Sequence, residues 1–112
     1  MSAIRNQVQL IGNLGKKPEI KTFGQDKKMA TFSIATSDYY YDNKGERQQQ
    51  TQWHNVVVWG KQAETVEKYL DKGSEIAING KITYRQYDDK NGNKRYLTEI
   101  VASDFLLLSK KN

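Results

Sequence analysis

Apolar and polar residues alternate along most of this chain, and a period of two predicts strands. Val8, Leu10, Gly12 and Leu14 alternate with Gln7, Gln9, Ile11 and Asn13, which predicts a half-buried strand ending at Gly15. Lys16 to Lys28 reads as a polar connection. Ala30, Phe32, Ile34 and Thr36 then share one face of a second strand, opposite Thr31, Ser33, Ala35 and Ser37, and this strand runs into Tyr39-Tyr40-Tyr41. Asp42-Asn43-Lys44-Gly45-Glu46 has the residues of a hairpin loop, and Gln48 to Gln52 leads into a third strand, rich in β-branched valine, that continues through Trp59. The period changes at Gly60. Ala63, Val66 and Leu70 recur at helical spacing, Glu64 faces Lys68 one turn on, and Lys72-Gly73 supplies a stop, so one short helix is predicted. Ile76, Ile78, Ile82 and Tyr84 alternate with polar residues again, and Asp88-Asp89-Lys90-Asn91-Gly92-Asn93 turns the chain back into a last strand, Arg95 to Leu108. The Asn91-Gly92 pair is a strong hairpin signal.

Three strands, one helix and two strands predict an all-β protein, a five-stranded OB-fold barrel with its short helix between strands 3 and 4. An SH3-like barrel would normally lack that helix. Residues 1–112 are expected to form a single domain, because 112 residues with 37% hydrophobic content supply one modest core. The chain has no cysteine, which excludes disulfides, and its one histidine, without thiols, builds no familiar zinc site. No metal and no cofactor is expected. The first residues lack the apolar run of a secretory signal, and the longest strongly apolar runs, Val56 to Trp59 and Phe105 to Leu108, are far too short to cross a membrane. A soluble, cytoplasmic protein is expected.

Charge and aromatic residues sharpen this picture. Eighteen Lys and Arg against thirteen Asp and Glu leave a net charge of +5, which favours polyanions without choosing between nucleic acid and an anionic membrane. Period two between Gln52 and Trp59 puts Trp53, Asn55, Val57 and Trp59 on one face and His54, Val56 and Val58 on the other. If Val56 and Val58 face the core, both indoles point outward from the barrel. A tryptophan is more often buried than exposed, but a shared face flanked by polar residues favours a stacking surface here. In the fourth strand, Asn79, Lys81, Thr83, Arg85 and Tyr87 lie opposite Ile78, Gly80, Ile82 and Tyr84. That stripe is either an ordinary solvated sheet face or a place where Lys81 and Arg85 meet phosphates while Tyr87 stacks on a base. Tyr39, Tyr40 and Tyr41 adjoin a loop carrying Lys44 and Arg47, where rings either project over a groove or simply pair across the hairpin.

No enzymatic reading survives. The Gly-Lys pairs at 15–16, 60–61 and 80–81 lack the first glycine of a phosphate-binding loop. His54 has no nucleophile in a recognisable motif and is read as structural, and Asp88 and Asp89 are read as turn residues rather than cation ligands.

An ordered set of motifs spans nearly the whole chain: Asn13-Leu14-Gly15 with Pro18-Glu19, Ile34-Ala35-Thr36-Ser37, Thr51-Gln52-Trp53-His54, Trp59-Gly60-Lys61, Tyr69-Leu70-Asp71-Lys72-Gly73-Ser74 and Arg95-Tyr96-Leu97-Thr98-Glu99. From about Asn6 to Leu108 the sequence resembles the bacterial single-stranded DNA-binding protein family. The resemblance implies an OB-fold homotetramer that holds and protects single-stranded DNA without sequence preference during replication, recombination and repair, in the nucleoid-associated cytoplasm. It implies base stacking on Tyr40, Trp53, Trp59 and Tyr87, and phosphate contacts from Lys61, Lys72, Arg85 and Arg95 beside the Lys81 read from the strand pattern. It places His54 near a subunit interface. The family often has tryptophan where this chain has Tyr40 and Tyr87, and basic residues where it has Thr83 and Gln86. Family members usually continue into a flexible linker and an acidic tip that recruits replication and repair enzymes, whereas this chain ends at Lys110-Lys111-Asn112, so tail-dependent partners are not expected from it. The alternatives are a primosomal accessory protein of the same OB lineage and an RNA-binding or adaptor module.

Overall fold

The structure, a computed structural model, describes residues 3–25 and 27–109. Met1, Ser2, Asp26 and Lys110 to Asn112 lie outside the described residues. After a short 3-10 turn at Ala3–Asn6 come β1 (Val8–Leu14), β2 (Glu19–Phe23), β3 (Lys27–Tyr41), β4 (Arg47–Trp59), the helix α1 (Lys61–Tyr69), β5 (Glu75–Asp88) and β6 (Lys94–Leu107). The neighbour order β1-β5-β6-β4-β3 returns to β1 through the pairs Asn13↔Ala35 and Leu14↔Ile34, so five strands close a barrel. All pairings in the ring are antiparallel except β4 with β6. Closure leaves these five strands no free edge to template unwanted pairing.

β2 is the element that the alternation missed. It falls inside the predicted polar connection and pairs only with β3, from Glu19↔Thr31 to Phe23↔Lys27, outside the closed ring. Of its residues only Ile20 packs against the core, and a single half-buried side chain leaves no period to read. The helix consequently follows the fourth strand of the chain while remaining the one helix between the third and fourth strands of the barrel.

The core takes Leu14 from β1, Ala30, Phe32 and Ile34 from β3, Val56 and Val58 from β4, Ile76 and Ile78 from β5 and Ile100 and Ala102 from β6. α1 adds Ala63 and Val66, with Leu70 just beyond its end, and these three are buried against the same cluster. Burying one such aliphatic side chain contributes about 1.5–3 kcal/mol relative to leaving it exposed. Lys28 at the start of β3 ties α1 down through an ion pair with Glu67 at 2.9 Å.

One irregularity sets the side-chain order of β6. Asn79 pairs with Asp104 but Gly80 pairs with Ala102, so Ser103 is a bulged residue, and its hydroxyl donates to the Asn79 carbonyl at 3.1 Å. The extra residue reverses which side chains face inward: Ile100 and Ala102 before it, Phe105 and Leu107 after it. Beyond the barrel, the long strands continue as two projecting hairpins, β3–β4 and β5–β6, whose outer halves are largely exposed. Tyr84 is therefore solvent-exposed although it shares the parity of Ile78 and Ile82, because the β5–β6 hairpin has already left the core at that point.

Candidate nucleic-acid interface

Strand parity turns Trp53 outward, and the fold gives it a floor. Gly15, at the end of β1, lies directly beneath the indole: a Cβ on Gly15 would come within 2.6 Å of the Trp53 ring. Only glycine lets the ring settle there, 60% exposed yet supported from one side. Trp53 and Gly15 line an open groove of about 650 Å3 with Lys16, Lys17 and Lys21 from the β1–β2 region and Arg85, Leu97 and Glu99 from the β5–β6 hairpin. Ser33 and Asn55 share the outer face of β3 and β4 there, joined by a hydrogen bond of 3.3 Å. The groove thus has an aromatic ring among apolar and polar side chains, three lysines beside Glu19 on one side and the Arg85–Glu99 pair on the other.

Arg85 does not float. Its Nε and Nη2 donate to the two carboxylate oxygens of Glu99, each at 3.2 Å, and the Glu99 side chain is only 12% exposed while that of Arg85 is 59% exposed. This side-on fork orients the guanidinium and leaves its other N–H groups for a further acceptor. Lys16, Lys17 and Lys21 were not singled out in the sequence, because the segment holding them shows no alternation. Three lysines around Pro18, just past a strand that ends at Gly15, are the signal that marks them.

The remaining candidate positions are dispersed. Trp59 lies on the Trp53 face, 46% exposed, with its ring 6.0 Å from that of Phe23 and tilted 34° to it, so β2 props the second indole. Val57, between the two indoles on the same strand, is buried, so that face is not exposed along its whole length. Tyr87 is exposed on the Lys81–Arg85 side of β5, opposite Arg95. Tyr40 has the other parity on β3: it faces with Thr36, whose hydroxyl is 2.9 Å from His54 Nε2, and not with Trp53. His54 itself lines the mouth of the barrel with Val8, Leu10, Ile82, Thr98 and Ile100. Lys61 opens α1 immediately after Trp59-Gly60, Lys81 is exposed on β5, and Lys72 sits in the loop whose Gly73 N–H donates to the Leu14 carbonyl at 2.8 Å. None of these three lysines lines the Trp53 groove.

Both projecting hairpins end in the same five-residue loop. Asp42 Oδ1 accepts the N–H groups of Lys44 and Glu46 at 2.9 Å each, and Asp89 Oδ1 accepts those of Asn91 and Asn93, again at 2.9 Å. The second oxygen takes Gln48 Nε2 at 3.0 Å in one loop and Arg95 Nε at 2.9 Å in the other. Gly45 and Gly92 occupy the left-handed position in each, both with φ of 78°. The Glu46 amide foremost, with Gln48 and the Lys44 amide, holds the Asp42 carboxyl below its ordinary range; the Arg95 guanidinium, then the Asn93 and Asn91 amides, does so for Asp89. A carboxyl with a lowered native pKa stabilises its loop above its unfolded value, about 3.9, and that contribution is lost as pH falls through the native value. The amide resonances of Lys44, Glu46, Asn91 and Asn93 should therefore stay fixed down to about pH 4 and shift together below it. Movement of these four amides between about pH 5 and 7 would contradict the assignment.

Among the described residues no cluster of His, Cys, Asp or Glu is arranged to hold a metal ion, and no helix is long and apolar enough to cross a membrane.

A closed five-stranded barrel with a helix between its third and fourth strands and a groove on its outer face defines an OB-fold protein. Within that class, the chain belongs to the single-strand binding protein family: the model described as "Single-strand binding protein family" matches residues 5–108. It is 41% identical over 108 residues to "Single-stranded DNA-binding protein 1" of Chlorobaculum tepidum, covering 96% of this chain and 67% of that protein. It is 44% identical over 107 residues to "Single-stranded DNA-binding protein 1" of Xylella fastidiosa, covering 95% and 79%. Among solved structures it resembles "Plasmodium falciparum SSB complex with ssDNA", with a TM-score of 0.84 and 35% identity over 93% of this chain and 95% of that one.

Proposed function

We propose that this chain binds and protects single-stranded DNA without sequence preference, as a non-catalytic OB-fold unit spanning about residues 6–108. The observation that carries the proposal is the Trp53 indole, exposed on a glycine floor between the Arg85 and lysine rims of one groove. An unpaired base stacks on the ring whatever its identity, since every base offers a π-face, while the cations follow the backbone. The names of the relatives and the DNA-bound structural neighbour point the same way. Trp59, Tyr87 and Tyr40 extend the stacking surface beyond the groove, and Lys61, Lys72, Lys81 and Arg95 extend its positive field. Replication, recombination and repair in the cytoplasm are the settings this activity serves.

Assembly into a homotetramer belongs to the same proposal. Ile11, Ala77 and Leu106 are register neighbours across β1, β5 and β6 on the outside of the barrel, and Ile11 and Leu106 are well exposed, an apolar row suited to burial against another copy. None of the three lines the Trp53 groove, so association through this row leaves the groove's own residues uncovered. His54 at the barrel mouth is the other position proposed near a subunit boundary.

Tryptophan fluorescence titrated with oligothymidine tests the binding. Strong quenching is expected at low salt. If Lys16, Lys17, Lys21 and Arg85 each neutralise one phosphate, log K should fall with log salt at a slope of about −3, given roughly −0.7 per contact on a single strand. Absence of quenching at low salt would sink the proposal, and equal affinity for duplex DNA or a preference for RNA would transfer it to another ligand. Light scattering with and without the oligonucleotide reads the assembly state.

A further inference from the structure

The β3–β4 arm carries three consecutive tyrosines, and its hydrogen bonds establish which of them continue the Trp53 face. Ser33 pairs in register with Asn55, Ala35 with Trp53, Ser37 with Thr51, Tyr39 with Gln49 and Tyr41 with Arg47, without interruption. Side-chain bonds confirm that these residues share a side: Ser33 with Asn55 at 3.3 Å, and Gln49 Nε2 donating to Ser37 Oγ at 3.2 Å. Gln48, next along β4, instead reaches Asp42 on the opposite side, the side of Tyr40. The rings in line with Trp53 are therefore Tyr39 and Tyr41, which are 56% and 73% exposed.

Arg47 turns this line into a charged platform. It sits opposite Tyr41 and reaches back over Tyr39, with its Cζ 3.8 Å from the ring centroid, a stacking distance. Among the described residues no carboxylate pairs with it, whereas Arg85 and Arg95 are each held by an acidic partner. Among the described residues its charge has no ion-pair partner and its N–H groups make no side-chain hydrogen bond, while the guanidinium carbon lies over the phenol. Guanidinium planes stack on bases, and their edges bind phosphate.

We propose that Tyr39, Arg47 and Tyr41 form a second stacking station for single-stranded DNA, on the outer face of the β3–β4 arm and continuous with the Trp53 groove. A base packs on the outer plane of Arg47, which Tyr39 supports from beneath, and a neighbouring base packs on Tyr41, while the Arg47 N–H edge meets the intervening phosphate. This inference rests on the binding reading above and adds the path the strand takes. Tyr39 lies four residues beyond Ala35, the register partner of Trp53, or about 13 Å along the strand at about 3.3 Å per residue. A strand long enough to leave the groove along the arm reaches it, and a strand that only fills the groove does not.

The test is affinity against oligothymidine length, over the span of about 4 to 16 nucleotides that single OB-folds cover. It uses the full chain, Arg47→Gln, and the double variant Tyr39→Ala with Tyr41→Ala. For the shortest oligomers that quench Trp53, all three proteins should bind alike. For the longest, the double variant should be weaker by roughly tenfold or more and Arg47→Gln by several-fold, with a shallower salt dependence. Gln50→Ala, on the other side of the arm opposite Asp38, serves as the comparison. An unchanged length profile in both variants would overturn the station, as would an equal loss at long lengths in Gln50→Ala. Failure of the unaltered chain to bind even the short oligomers would instead overturn the binding reading beneath it. Unchanged far-ultraviolet circular dichroism and melting temperature separate either result from misfolding, and Arg47→Gln, which keeps both rings, remains decisive if the double variant proves unstable.

Discussion

Trp53→Ala should weaken oligothymidine binding by roughly 5- to 150-fold, the free energy of one base stacked on an aromatic ring, about 1–3 kcal/mol. Stability should change by about 1 kcal/mol or less, because the ring is largely exposed and rests on glycine rather than in the core. The pair of measurements is a fluorescence or anisotropy titration and a thermal melt. A collapse in melting temperature with little change in affinity per folded molecule would make Trp53 a packing residue and remove the central support of the proposed function. Trp53→Phe should recover much of the loss, since a smaller ring still stacks.

Gly80→Ala is expected to have the opposite signature, a large loss of stability at a position that does not line the groove. A Cβ at residue 80 would lie 2.2 Å from the Val101 carbonyl oxygen and 2.9 Å from the Ala102 Cα, and both are backbone atoms that cannot rotate away. They belong to β6 beside the bulged Ser103, where the register shift presses the two strands together. Relief requires β5 and β6 to separate, which breaks the pairing that carries both Arg85 and Glu99. The cost should be roughly 3 kcal/mol or more, lowering the melting temperature by about 10–20 °C in a domain of this size. Melting within about 2 °C of the unaltered protein would show that the bulge adapts and that the close approach is not a constraint.

These two residues also divide what is legible in a linear chain from what is not. The outward face of Trp53 follows from period two alone once Val56 and Val58 are taken as core, and the structure puts them there, at 1% and 0% exposure. The helix was equally legible, since Ala63, Val66 and Leu70 recur at its own period and are all buried. Both hairpin tips were readable from Asp and Gly spacing, because local turn chemistry depends on a few consecutive residues. Gly80, by contrast, looks like an ordinary strand glycine until β6 is brought against it. The bulge at Ser103 has no motif of its own, and only the pairing with Asn79 and Gly80 shows that side-chain parity reverses there.

The groove shows the same division. Its aromatic floor and Arg85 were visible as strand faces, but the lysines at 16, 17 and 21 join them only because the β1–β2 segment folds back across β3 and β4. Nor does a strand pattern reveal that Glu99, fourteen positions after Arg85, holds its guanidinium.

The amino-acid order by itself determined which residues turn inward along β1, β3, β4 and the first half of β5, where the helix and the tight turns fall, and that an aromatic, cationic surface exists, because each of these depends on the periodicity of a local segment. Closure of the barrel through Leu14 and Ile34, the pairing of β4 with β6, the edge strand β2 and the convergence of three chain segments around Trp53 were decided only by the tertiary structure. The physical reason is that register and contact between distant segments are chosen by the summed packing of the whole core, and no single stretch of the chain carries that sum.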